Sequence, residues 1–287
     1  NKVLLAVGIS GILFITALSF VVGYRVYIFV ESHSVELAQK TSKEVSKELE
    51  RYIEKPAIQI QSLANLLAKS RPDRNGLNDI IRNIEAENEE YLGTYGIFEP
   101  YLYDGRDEEF KYSPVADHNK DGRFIPYWTR TKAGKIQVEP NHSFEEDKES
   151  TKYYHYPKKT LKSFISEPYK YEIKSRNERV NMISLTHPVV DAYGKFIGIV
   201  GVDLALDGIQ NYIKSMNIGD GYIVIYSHEG IVISKKKEEH IGLRIEETTN
   251  SKEIIEAITN KKESHFLRTS GTTNQTVLTY TLPIKIK

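Results

Sequence analysis

Hydrophobic and polar positions repeat with two different periods along this chain, and the changes of period divide it. Val3 to Tyr24 holds no charged residue and is fenced by Lys2 and Arg25. At about 1.5 Å per residue such a run crosses the roughly 30 Å of hydrocarbon in a bilayer, so a transmembrane helix is expected over residues 1–30. A cleavable leader has a shorter apolar core and small residues after it, whereas Tyr24, Tyr27 and Phe29 are bulky. Between Glu31 and Lys69, Val35, Ala38, Val45, Leu49, Tyr52, Ile60, Leu63 and Leu67 keep helical spacing. Lys43, Glu44, Lys47, Glu48, Glu50 and Arg51 fill the opposite face. This predicts a long stalk helix over 31–70, kinked at Pro56. A parallel copy packed along Val35, Val45 and Leu49 would make a homodimer.

Arg71–Gly76 breaks the helical period. A second helix follows on Leu77, Ile80, Ile81 and Ile84, and Tyr91–Glu99 reads as a first strand. Met182–Val190, Phe196–Val202 and Tyr222–Ile225 are short, β-branched runs bounded by Gly, Pro and Asp, the first two joined by a hairpin-length Asp191–Gly194. After Asp203 the period returns to helical through Leu204, Leu206, Ile209, Ile213 and Met216, ending near Asn217 and Gly219. A hairpin around Ser227–Gly230, a helix over Ser251–Thr259 and strands over Glu263–Thr269 and Thr276–Ile286 complete a smaller second sheet. The fold class is α+β: two modules, each on an antiparallel sheet, at 71–203 and 220–287, joined by a helix at 204–219.

Composition narrows the chemistry. Lys+Arg and Asp+Glu both number 39, and there is no cysteine. Balanced charge argues against nucleic acid, and the missing thiols remove disulfides, thiolate metal sites and cysteine catalysis. Asp117-His118-Asn119-Lys120-Asp121-Gly122 opens like a calcium loop, but Ile125 and Trp128 stand where its later oxygen ligands belong. An Asx-rich turn explains the same residues. His142 and His155 have no metal-ligand spacing, and phosphate loops and nucleophile elbows are missing. No metal, no cofactor and no catalysis are expected.

What remains is aromatic and acidic: Tyr127 and Trp128, a loop with Tyr153 and Tyr154, Tyr169 and Tyr171, and Asp203 at the end of an apolar strand. A carboxylate there needs donors. It could cap the following helix or meet the N–H groups of a ligand, and both readings stand open on the sequence.

The step GKFIGIVGVDLALDGIQ followed by GYIVIYSHEGIVIS resembles the middle of a double-Cache sensor domain, the extracytoplasmic part of bacterial chemoreceptors, and the likeness runs from about residue 31 onward. It implies PAS-like Cache modules and a sensor outside the plasma membrane, most simply that of a methyl-accepting chemotaxis protein. A histidine kinase, a cyclic-nucleotide synthase or a membrane-tethered adhesion protein are the alternatives. Amino-acid-binding relatives hold the ligand carboxylate with Arg-x-Trp-Tyr and its amino group with a later Asp. Asp203 matches that Asp, while Arg123 is separated from Tyr127-Trp128 by three residues and the aromatic order is reversed. Other relatives bind amines or purines. The resemblance thus implies a small-molecule ligand (an amine, a purine-like compound or an amino acid) at Asp203, Tyr127, Trp128, Tyr169, Tyr154 and Arg123.

Overall fold

The first helix, α1 (Lys2–Lys69), is one element of 68 residues and continues through Pro56. The structure, a computed structural model, describes residues 2–216, 218, 221–271 and 274–286, with side chains from Gly11 onward. Every side chain from Gly11 to Val30 is exposed, the surface that a membrane-spanning helix offers to lipid. Later turns are covered: Val45 is 8% and Leu49 4% exposed in the single chain, whereas Leu37, Ile58 and Leu66 stay open. Val45 and Leu49 are therefore core positions of one chain, a correction to the expected contact between copies.

By density of contacts the chain forms two units, residues 1–48 with 251–284, and 49–250 with 285–287. In the second unit, α2 (Arg74–Glu87) starts at Asp73, whose carboxylate accepts the Gly76 amide. A seven-stranded antiparallel sheet follows: β1 (Gly93–Phe98), β2 (Pro126–Arg130), β3 (Ile136–Pro140), β4 (Phe164–Ile165), β5 (Tyr169–Ile173), β6 (Glu178–Val190) and β7 (Phe196–Ala205). Its order is β3-β2-β1-β7-β6-β4, with β5 also on β6, which is long enough to serve both. The central strands β1 and β7 are almost wholly buried. Their runs are apolar without alternation, as two-sided burial requires. Short α3 (Asp107–Phe110) lies in the loop before β2, and α4 (Lys152–Thr160) precedes β4.

Strand β7 runs straight into α5 (Leu206–Ser215), whose N-cap is Ala205. The expected end of this helix at Asn217 and Gly219 lies outside the described residues. The Gln210 side chain pins α5 to the strand after it, receiving Ser234 Oγ at 2.5 Å and Lys235 N at 3.0 Å and donating to Lys235 O at 2.9 Å. Less sheet forms here than upstream. β8 (Ile225–Tyr226) pairs with β9 (Val232–Ser234), followed by the short α6 (Ile245–Thr248). In the first unit, α7 (Lys252–Asn260) leads to the hairpin β10 (Ser264–Thr269) and β11 (Thr276–Thr281). The expected second sheet is thus two separate two-stranded ladders among the described residues.

Candidate functional site

Register decides which side chains meet. Gly93 of β1 lies opposite Asp203 of β7, which lies opposite Ser184 of β6; Tyr95 lies opposite both Tyr127 and Gly201. Directly opposed residues share a face, so Asp203, Ser184, Tyr95 and Tyr127 look the same way. On that face Tyr169 and Tyr171 rise from β5, and α4 lays Tyr153 over the middle. The rings pack as neighbours: Tyr95–Tyr127 at 5.7 Å between centroids, Tyr127–Tyr171 at 5.8 Å, Tyr153–Tyr169 at 5.5 Å and Tyr95–Tyr153 at 6.2 Å. They lie this flat because Gly93 and Gly201 carry no side chain: a Cβ on Gly93 would enter the Tyr127 ring, and one on Gly201 the Tyr95 ring.

Asp203 sits beneath this aromatic lid, 1% exposed. Its Oδ1 accepts from Ser184 Oγ at 2.5 Å and its Oδ2 from Tyr127 OH at 3.1 Å, and Tyr169 OH reaches Ser184 Oγ at 2.7 Å. The helix-cap reading fails, because both oxygens point into the tyrosine cage while Ala205 holds the cap position. Burial raises the Asp203 pKa to about 7, against the opposing pull of the hydroxyl donors. Burial likewise holds the tyrosines well above their usual range, so they remain donors. The Tyr95 hydroxyl is buried here outside hydrogen-bond geometry, yet it lies near enough to Asp203 to pull the carboxyl pKa down beside Ser184 and Tyr127. Outside, Tyr171 forms part of a cleft of about 190 Å³ with His142, Ser143, Lys170, Glu172 and Arg179, and the His142 ring stacks on it at 4.8 Å.

The other expected residues lie elsewhere. Trp128 alternates to the opposite face, where Nε1 donates to Asn78 of α2 at 2.8 Å. Tyr154 is on α4 rather than in a loop; its hydroxyl donates to Glu99 and accepts from Arg123 at 2.8 Å. Arg123 also donates to Phe98 O at 2.6 Å. Phe98 is five residues along β1 from the Gly93 beside Asp203, roughly 16 Å in an extended strand. Arg123 and Asp203 thus stand at opposite ends of the face. The Asp117–Gly122 loop is an Asx turn: Asn119 Oδ1 receives the amides of Asp121 and Arg123, each at 3.0 Å. Asp117 Oδ2 accepts from Asn78 at 2.7 Å, and Oδ1 lies 2.9 Å from His118 Nδ1.

Residues 77–211 match the family described as methyl-accepting chemotaxis protein-like, first PDC sensor domain. Methyl-accepting chemotaxis protein TlpQ of Pseudomonas aeruginosa is 29% identical over 177 residues, 58% of this chain and 24% of TlpQ, so the match spans about a quarter of that relative's length. The extracellular domain of mmHK1S-Z3, assigned to the histidine kinases, has a TM-score of 0.76 at 27% identity over 90% of both chains. Methyl-accepting chemotaxis protein X has a TM-score of 0.73 at 20% identity, over 90% of this chain and 94% of its own. The chain carries a Cache-type sensor domain, homologous to chemoreceptor ligand-binding domains. Such sensor families are non-catalytic, and the domain lies outside the membrane that α1 spans.

Within the Cache-type domain, sequence reading passed over Tyr95, Ser184 and Glu85, and it named Tyr153 among the aromatics without counting it among the ligand residues. Tyr95 and Ser184 become visible only when register places them across from Gly201 and Asp203. Glu85 had a signal: it continues the i, i+4 row of Leu77 and Ile81. It is fully buried on the opposite face, with Oε2 accepting from Thr94 at 2.9 Å and Oε1 without a partner. Burial raises its pKa to about 8.

Proposed function

We propose that the module at residues 71–203 binds a small organic nitrogen cation or a flat nitrogen heterocycle at Asp203, and that the bound state is passed through α5 and the stalk to the membrane. The observation that carries this reading is one carboxylate, buried and hydrogen-bonded only to hydroxyls, under a lid of tyrosines. Aromatic faces attract cations and stack on rings, and a cation would replace the solvation that the buried carboxylate has lost. Two sensor domains of this fold were solved with small molecules: PctC of Pseudomonas aeruginosa PAO1 with GABA (13% identity, TM-score 0.51) and Mlp24 with asparagine (19% identity, TM-score 0.52). An α-amino acid fits less well here, because the end of the face that holds Arg123 is too far from Asp203 for one small molecule to bridge. The cleft beside Tyr171 opens to solvent at the edge of the cage, and entry from there requires that ring and the His142 stacked on it to move. For the output, a chemotaxis transducer agrees with TlpQ and a histidine kinase with mmHK1S-Z3. A homodimer through the stalk would use Leu37, Ile58 and Leu66, the apolar positions left open.

The test is calorimetric titration of the chain with a panel of amines, purines and amino acids, repeated with Asp203→Asn. Loss of the charge should cost about 2–5 kcal/mol of binding, roughly 30-fold or more in affinity. Because Asp203 must be ionised to meet a cation and titrates at about 7, affinity at pH 6 should be about tenfold weaker than at pH 8. Equal affinity in wild type and Asp203→Asn would sink the reading.

A further inference from the structure

The β10–β11 hairpin runs beside the part of α1 that leaves the membrane. Gln39 of α1 donates from Nε2 to Glu263 Oε1 at 3.0 Å, just ahead of β10. Further along, Leu267 and Leu278 stand opposite each other in register. Together with Tyr27, Val30, Glu31 and Ser34 of α1 they line an apolar niche of about 220 Å³. Going from Gln39 back to Val30 the helix covers about 13 Å, and from Glu263 to Leu267 an extended chain also covers about 13 Å. The two contacts therefore set β10 antiparallel to the helix axis, descending as α1 descends. Three further residues carry the strand to Ser270, about 10 Å lower, which is level with a point about seven residues below Val30 on the helix. That point is Gly23 and Tyr24, inside the apolar run that closes at Arg25.

We propose that this hairpin rests on the bilayer that α1 crosses, with Gly271 and Asn274 at its end among the phospholipid headgroups and Leu267 turned toward the acyl boundary. The residues suit the place. Thr269, Gly271, Asn274, Gln275 and Thr276 are exposed and uncharged, so they can trade water for phosphate and ester oxygens without dehydrating a charge. Leu267 is 50% exposed, beside Tyr27 and Val30, which are themselves open on the same helix. The surface is continuous with the membrane-spanning segment, and a hairpin resting there holds the stalk at a fixed height where it leaves the lipid.

The chain has no cysteine, so a single nitroxide reports one position. The full chain is placed in phosphatidylcholine/phosphatidylglycerol vesicles with the label at Thr276→Cys, an exposed site beside that end, or at Tyr193→Cys, 96% exposed in the β6–β7 turn. Collision rates with oxygen and with a water-soluble nickel chelate are then measured. Lipid contact predicts an oxygen-to-nickel ratio at Thr276 several-fold above that at Tyr193, with helix content unchanged in both variants. Equal ratios would place this end of the hairpin in water, and suppression of both collisions would mean that protein covers it. Either result overturns the proposal.

Discussion

Asp203 and Glu85 are buried against opposite faces of one sheet, and the two sites are finished differently. Asp203 accepts a donor on each oxygen and lies among tyrosines that present rings and hydroxyls together. Glu85 accepts one hydroxyl, leaves one oxygen unpartnered, and belongs to a helix face it shares with Arg74, Leu77, Asn78 and Ile81, none of them aromatic. Burial raises both pKa values, to about 7 and about 8. At about 1.4 kcal/mol per unit, ionising either one in place costs on the order of 4–5 kcal/mol. Equal penalty with unequal surroundings separates a site from a core. The face that surrounds its acid with aromatic, hydrogen-bonding walls is the one able to take up a ligand.

The largest effects should come from the glycines that let rings lie on the sheet. Gly201→Ala drives a Cβ into the Tyr95 ring, and Gly96→Ala, on the other face, drives one into Phe98. Each should cost about 3 kcal/mol in urea unfolding, because neither neighbour can retreat in a packed core. Only Gly201→Ala should also disturb the tyrosines around Asp203, seen as a changed near-ultraviolet circular dichroism spectrum. If Gly96→Ala alters that spectrum equally, the faces are not independent.

Next come the acids themselves. The folded pKa of each lies above its unfolded value near 4, so between those values the unfolded chain releases a proton that the folded chain keeps. Stability therefore falls as pH rises from about 4 to 7 for Asp203 and from about 4.5 to 8 for Glu85, and the loss is complete above that. The amides of Asp203→Asn and Glu85→Gln bring buried N–H donors to sites built for an acid, a pH-independent cost of about 2 kcal/mol. Each variant should therefore be about 2 kcal/mol more stable than wild type at pH 8.5 and about 2 kcal/mol less stable at pH 4, as measured by urea titration. A variant no more stable at pH 8.5 than at pH 4, relative to wild type, would show that its acid is not held out of water.

Much of this domain was legible in the residues. The apolar run at the start of α1, the hairpin at Asp191–Gly194 and the change of period after Asp203 all follow from local chemistry. Asp203 itself could be picked out because an acid at the end of an apolar strand is costly. The composition of the site was less legible. Tyr127 and Trp128 are adjacent in sequence but lie on opposite faces, because successive strand side chains alternate. Arg123 and Tyr154 belong to the far end of β1, a separation set by pairing register and invisible in spacing. Val45 and Leu49 have the spacing of a seam between copies, yet the chain's own fold covers them. An amphipathic face says that something packs there, not whose.

The smallest effect is also the most discriminating, and it concerns two tyrosines that face each other across β1 and β2. Tyr127 donates to Asp203 at 3.1 Å. Tyr127→Phe leaves Asp203 with Ser184 as its hydroxyl donor and should cost about 1 kcal/mol, while raising the Asp203 pKa further. The Tyr95 hydroxyl is buried without a hydrogen bond, so Tyr95→Phe removes an unsatisfied group and should leave stability unchanged or raise it by up to about 1 kcal/mol. A hydroxyl that gains nothing for the fold yet stands beside the carboxylate is placed to donate to a ligand. Tyr95→Phe should therefore weaken binding of whichever compound the calorimetric panel identifies, by about fivefold, without loss of stability. Loss of stability in Tyr95→Phe with unchanged affinity would make this tyrosine a packing residue, and the wall around Asp203 would then be core on that side.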